Sequence, residues 1–305
     1  MTILWAMMLG PILGGVVLAA GWWSIRGSRA GLHGRAPRAA AILVGTLLIV
    51  ATAAQRVGET GGILLPVLST EAWEFVSDVR FTAPLVLGIG ALLALAFPIE
   101  PRRRGRTADL APRTPMSFAR GSWLVVPTLV LAVIASLTVV AGRASRPDPQ
   151  TGRHTFYFVE PGGENLLGTT IYGWYHSLPS LVLIAVMIVV VALDLVLIAR
   201  PALDADREQD ARQRRIRTRN VVSVATGALL VHLGSVLSSL GDTASLRGSF
   251  ATSEGGVSVW TPFAALEHVL RWGAIAAVAL GIAFWASVAL SALPARRRTR
   301  TRAVS

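Results

Sequence analysis

The chain has 305 residues, 53% of them hydrophobic, with a mean hydropathy of +0.57 and a formal net charge of +12. A soluble chain of this length would form about two domains, and this one has too few polar residues to cover them, so a bilayer is the expected solvent. All 29 basic residues are Arg and there is no Cys. These absences exclude thiolate nucleophiles, disulfides, iron–sulfur clusters, thiolate zinc sites, a P-loop with its phosphate-binding Lys, and Schiff-base attachment of retinal or pyridoxal. Arg in place of Lys, beside abundant Ala, points to GC-rich coding and so to a bacterial cytoplasmic membrane.

Seven apolar runs have the length that crosses about 30 Å of hydrocarbon: Ile3–Trp23, Ala39–Gln55, Phe81–Ile99, Ser122–Ala141, Ser177–Ala199, Asn220–Leu240 and Trp272–Pro294. The expected fold is an all-α polytopic membrane protein, with a seven-helix transmembrane domain over 1–294 and a basic, disordered tail at 295–305. The first run has no basic stretch ahead of it and no cleavage site, so it is expected to be a retained span, not a signal peptide. Within it, Gly10 and Gly14 form a GxxxG that reads as intramolecular helix packing.

Basic loops stay in the cytoplasm, and 22 of the 29 Arg fall in 24–38, 100–121, 200–219 and the tail. That places these segments inside and the loops 57–80, 142–176 and 241–271 outside, with the N-terminus outside and the C-terminus inside. The basic balance is then topological and requires no nucleic acid as partner. The Arg-rich stretches at 102–106 and 296–302 suit anionic lipid.

Along the outer segments, Thr70 is placed to cap a helix entering the third span, and Thr261 followed by Pro262 does the same for the seventh. Unbroken to Ala292, that last helix would have its first two turns on the outer surface or a bend near Gly273. Aligning Thr70 with Thr261 superposes Arg80-Phe81 on Arg271-Trp272 and Gly90 on Gly281, the pattern a 3+1+3 repeat would leave. Two unrelated helices with a basic-aromatic interfacial anchor are the favoured explanation. Residues 154–175 read as two β-prone runs around Pro161-Gly-Gly, an external β-hairpin. It would offer a ligand surface or cap the helix ends, with Tyr172, Trp174 and Tyr175 in the interfacial aromatic belt.

The inner segment 204–219 alternates acids and Arg. Glu208–Arg212 and Asp210–Arg214 lie at i,i+4, so a helix continuing into the sixth span is expected. It is either a docking element for a cytoplasmic partner, such as a separate ATPase, or a solvated charged helix.

Two intramembrane polar groups stand out. Asp194 lies five residues before the end of its span, about 7 Å inside by helical rise, and is read as proton- or ion-handling or as a hydrogen-bonded structural polar. His232, Ser235, Ser239 and Asp242 form one stripe of the sixth span, with Val, Leu and Ala opposite for lipid. His176 and His268 are expected well above His232, which disfavours a bis-His haem. Glu267 and His268, the outer-face candidates beside His176, are adjacent on a helix and point to different faces, so they are poor metal co-ligands. Neither a cofactor nor a nucleophile–base pair emerges. The expectation is a non-enzymatic subunit of a membrane or transport complex. The alternatives are a self-contained transporter with its pathway near His232, and a haem- or metal-binding membrane protein.

Overall fold

The computed structural model describes residues 2–26, 31–64, 70–96, 118–160, 167–199, 207–252 and 255–293. The turn at Pro161, the stretches at 102–106 and 296–302, Arg200, Asp204 and the tail lie outside them. The described chain is mostly helical: α1 (Thr2–Arg26), α2 (Arg35–Leu64), α3 (Thr70–Val79), α4 (Ala83–Ala96), α5 (Ser122–Ala144), α6 (Trp174–Ala199), α7 (Arg207–Ala244) and α8 (Glu267–Leu290). Between them stand β1 (Arg146–Pro147), β2 (His154–Val159), β3 (Leu167–Thr170), β4 (Arg247–Thr252) and β5 (Gly255–Trp260).

Six of the described helices, α1, α2, α5, α6, α7 and α8, are long and apolar enough to cross a membrane. The expected third span is the exception. Its described part is the 14-residue α4, about 21 Å long at the standard rise, and 97–100 lie outside the described residues. Chain direction breaks at Arg80–Thr82 because Pro84 has no N–H to give the Arg80 carbonyl. Leu85 instead donates to the Thr82 carbonyl (3.0 Å), leaving the Phe81 carbonyl free for a side chain. α2 also runs past the expected end of its span, through Arg56–Leu64.

α7 is the axis of the bundle. Along its most apolar stretch 89% of residues are buried, against 17% to 44% in the other five long helices. The expected lipid-facing side opposite His232 therefore does not exist: Val222 to Ser235 are buried without a break. A helix enclosed all round can carry no polar outer face, and small residues let its neighbours close in. A methyl on Gly227 would strike Nε1 of Trp285, one on Gly281 would lie 2.9 Å from the Gly227 carbonyl, and one on Gly88 of α4 would meet Ala228 at 2.6 Å. Trp285 is fully buried at this crossing and its Nε1–H donates to the Val224 carbonyl (3.1 Å).

α1 packs on α8 through Gly15, whose added methyl would strike the Ala279 carbonyl. Gly10 and Gly14 meet nothing within 4 Å among the described residues, so they do not make the intramolecular contact expected of them. The aligned halves also diverge. α8 runs unbroken through Arg271, Trp272 and Gly273 where its supposed counterpart is broken, and Trp272 is exposed where Phe81 is fully buried.

At the end of the bundle where α7 finishes, β1, β2 and β3 form an antiparallel sheet, with Phe156 opposite Thr170 and Val159 opposite Leu167. β4 and β5 form a second antiparallel pair, Arg247 opposite Trp260. The two meet where a methyl on Gly248 would lie 2.9 Å from Leu167. Thr261 does not cap α8: its hydroxyl donates to the Ala244 carbonyl at the end of α7 (3.2 Å), and a 3-10 turn at Ala264–Leu266 intervenes before α8. Thr70 begins α3, but its side chain lies outside what is described.

The packing predicts opposite outcomes for neighbouring glycines. Gly15→Val should lower stability by about 1–3 kcal/mol through overpacking, whereas Gly14→Ala should stay within about 0.5 kcal/mol of the parent. Thermal unfolding in detergent reads both.

Candidate functional site

Two buried polar centres flank the core, one at each end of α7. At the sheet end, the break between α3 and α4 presents backbone carbonyls to the interior, and side chains from two other helices satisfy them. The Gln55 amide donates to the Arg80 carbonyl (3.1 Å) and His232 Nδ1 meets the Phe81 carbonyl at 2.8 Å. A carbonyl only accepts, so this bond puts the proton on Nδ1 and leaves the buried Nε2 without a partner. His232 is fully buried.

An aromatic cluster surrounds that bond. The Phe81 ring lies 4.8 Å from Tyr172 and 4.9 Å from His176, and Tyr172 meets the His232 ring edge-on at 6.0 Å. The Arg80 guanidinium sits 4.5 Å over Phe81. His176 and His232, expected at separate depths, are thus linked through the Phe81–Tyr172 pair, His176 against Phe81 and His232 against Tyr172. Tyr172 is no interfacial residue: it is fully buried, held there because its ring fills the space between Phe81 and His232. Burial raises its phenol above the ordinary range, with Ser180 and Thr138 as polar neighbours acting the other way. Trp174 lies against Gly142, and Tyr175 carries the Arg153 guanidinium at 4.6 Å.

Of the rest of the stripe, Ser235 donates back to the Val231 carbonyl (3.4 Å) and Ser239 is buried. Asp242 meets Arg271 at 3.8 Å. Glu267 lies between Arg271 (3.3 Å) and Arg247 (3.4 Å), joining α8 to β4, while His268 is exposed on another face. Among the described residues no three His or acidic side chains gather as a metal would require.

At the opposite end, Asp194 lines a cavity of about 20 Å³ with Arg217, Asn220, Leu32, Pro37, Leu95 and other apolar residues of α2, α4, α6 and α7. Asp194 is 3% exposed, and its Oδ2 has no hydrogen-bond partner. The charged start of α7 docks beside it. Arg214 bonds Asp210 at 2.8 Å and also donates to the Ile198 carbonyl, so it is buried instead of solvated. Gln213 accepts from the His33 backbone (3.0 Å), donates toward the Gly31 carbonyl (3.3 Å), and meets His33 Nδ1 at 2.7 Å. Leu32 is buried, and its N–H donates to the Ser291 carbonyl (3.1 Å). Glu208 and Arg212 pair at 3.4 Å on the exposed side.

Composition pointed to Asp194 and His232; it missed Gln55, Phe81, Tyr172 and Arg217. Pro84 was the available signal for the helix break, but which groups would meet the freed carbonyls depends on helix packing.

His232→Leu should strand the Phe81 carbonyl in an apolar interior and lower stability by about 1–3 kcal/mol. His232→Gln, which keeps an N–H donor, should recover part of that loss in the same unfolding measurement.

Comparison with protein-family models, curated proteins and solved structures finds no match, so the functional reading rests on this geometry.

Proposed function

We propose that the chain is a multi-pass plasma-membrane protein with seven crossings, N-terminus outside and C-terminus inside, that works as a non-enzymatic subunit of a membrane or transport complex. α4 supplies the seventh crossing in this reading. It packs against α2, α6 and α7 with Leu85 and Leu92 fully buried. Losing one crossing would put later Arg clusters on the side opposite the first, against the charge rule. Both sheets then lie outside.

The observation that carries the subunit reading is the span of α7. Its 38 residues measure about 57 Å, far beyond about 30 Å of hydrocarbon. One end is a charged extension exposing Glu208 and Arg212; the rest is the core on which α4, α5, α6 and α8 pack. A cytoplasmic partner gripping 204–219, such as a separate ATPase, would hold the helix on which α4, α5, α6 and α8 pack. The enclosed His232 ring favours a packing role over a transport pathway along its stripe. A haem iron between His176 and His232 would require Phe81 and Tyr172 to leave.

A reporter active only outside the cell should be silent after Ser305 and active when inserted near Pro161; the reverse overturns the topology. In gentle detergent the protein should copurify with a stoichiometric partner. The double change Glu208→Arg, Arg212→Glu should cut partner recovery about tenfold, equal to about 1.4 kcal/mol, with the melting temperature unchanged. Consistent isolation of the parent chain alone removes the subunit reading.

A further inference from the structure

We propose that Asp194 is a proton-exchange site, reached by water from the charged end of the molecule through the cavity between α2, α4, α6 and α7. This gives the chain a chemistry of its own and does not depend on the subunit reading.

Other described acids with a structural role are visibly paired: Asp210 with Arg214, Asp78 with Arg153, Glu59 with Arg56 and Gln55. Asp194 is more deeply buried than any of these, yet its Oδ2 has no partner. A buried carboxyl oxygen without a donor is costly, and several neighbouring donors are engaged elsewhere. Arg214 is taken by Asp210 and the Ile198 carbonyl, Asn220 Nδ2 by the Ser291 hydroxyl (2.9 Å), and Arg38 Nε by the Leu32 carbonyl (2.5 Å).

The cavity explains what the open position takes. At about 20 Å³ it has room for roughly one water molecule. Among the described residues its charged lining is Asp194 and Arg217; α2 contributes Pro37 and Ala41, α4 contributes Leu95 and Ala96, and the segment before α2 contributes Leu32. A facing guanidinium opposes a metal cation. The open carboxyl oxygen, the adjoining guanidinium and the water-sized space together place a proton acceptor beside a route for water. In the exchange step a hydronium ion gives its proton to a carboxylate oxygen of Asp194, forming the O–H bond and releasing water; the reverse step returns it.

Dicyclohexylcarbodiimide tests this in native membrane vesicles. The acid adds across one C=N bond, and the adduct rearranges to a stable N-acylurea without loss of atoms, so intact mass rises by one reagent per chain. Peptide mapping should place the adduct on Asp194, with labelling falling as pH rises and absent in Asp194→Asn. Arg217→Gln should move the half-labelling pH upward, because it removes the cation that favours the carboxylate. A water-soluble carbodiimide should label from the side that holds the C-terminus. Should Asp194→Asn or Arg217→Gln fail to fold, the parent protein's labelling against pH decides alone. Asp194 unlabelled at every pH, or labelled independently of pH, overturns the proposal; labelling only from the opposite side overturns the route.

Discussion

Everything in this molecule depends on burying α7 on all sides. A helix so enclosed gains no hydrophobic energy inside a bilayer, since lipid tails are as apolar as Leu; its association rests on close packing and interhelical hydrogen bonds. Gly227 and Gly281 let α8 approach until backbone meets backbone, and Gly88 seats α4 against the Ala228 side chain. Trp285 fills the α7–α8 crossing and donates to an α7 carbonyl, so the same side chain supplies shape and polarity.

The break between α3 and α4 follows from the same constraint. Backbone polar groups freed inside a membrane protein must find partners, and they find them on the helices already adjacent. Gln55 serves the Arg80 carbonyl and His232 the Phe81 carbonyl. His232 thus joins the central helix to an interrupted one and draws Phe81, Tyr172 and His176 into a single aromatic cluster. The two ends of α7 differ in kind. At the sheet end the unpartnered buried atoms, such as His232 Nε2 and the Tyr172 hydroxyl, sit within an aromatic cluster, whereas at the charged end Asp194 keeps an oxygen open and lines a cavity.

The charged start of α7 is more than a solvated face. Arg214 is buried through bonds to Asp210 and Ile198, and Gln213 grips the segment at 31–34 that seats Leu32 at the cavity wall. Among the described residues the displayed side of this segment is the one that carries Glu208 and Arg212, which narrows where a partner could attach. The β4–β5 pair went unread in the sequence because six-residue strands of small and polar residues leave little alternation to see, although Val257 and Val259 carried a trace of it.

Composition and apolar run length by themselves determined that this chain is helical with long apolar helices, because hydrocarbon crossing demands a minimum length whatever surrounds it. The i,i+4 spacing of Glu208–Arg212 and Asp210–Arg214 likewise marked a helix, since that pairing is local. Only the tertiary structure decided that α7 is central, that Gly15 and not Gly14 is the contact glycine, and that Tyr172 is buried. The physical reason is that periodicity along one helix ranks its faces only when one of them meets a different solvent. Between lipid and a lipid-like protein interior the contrast vanishes, and the choice passes to the shapes and free hydrogen-bonding groups of helices distant in sequence.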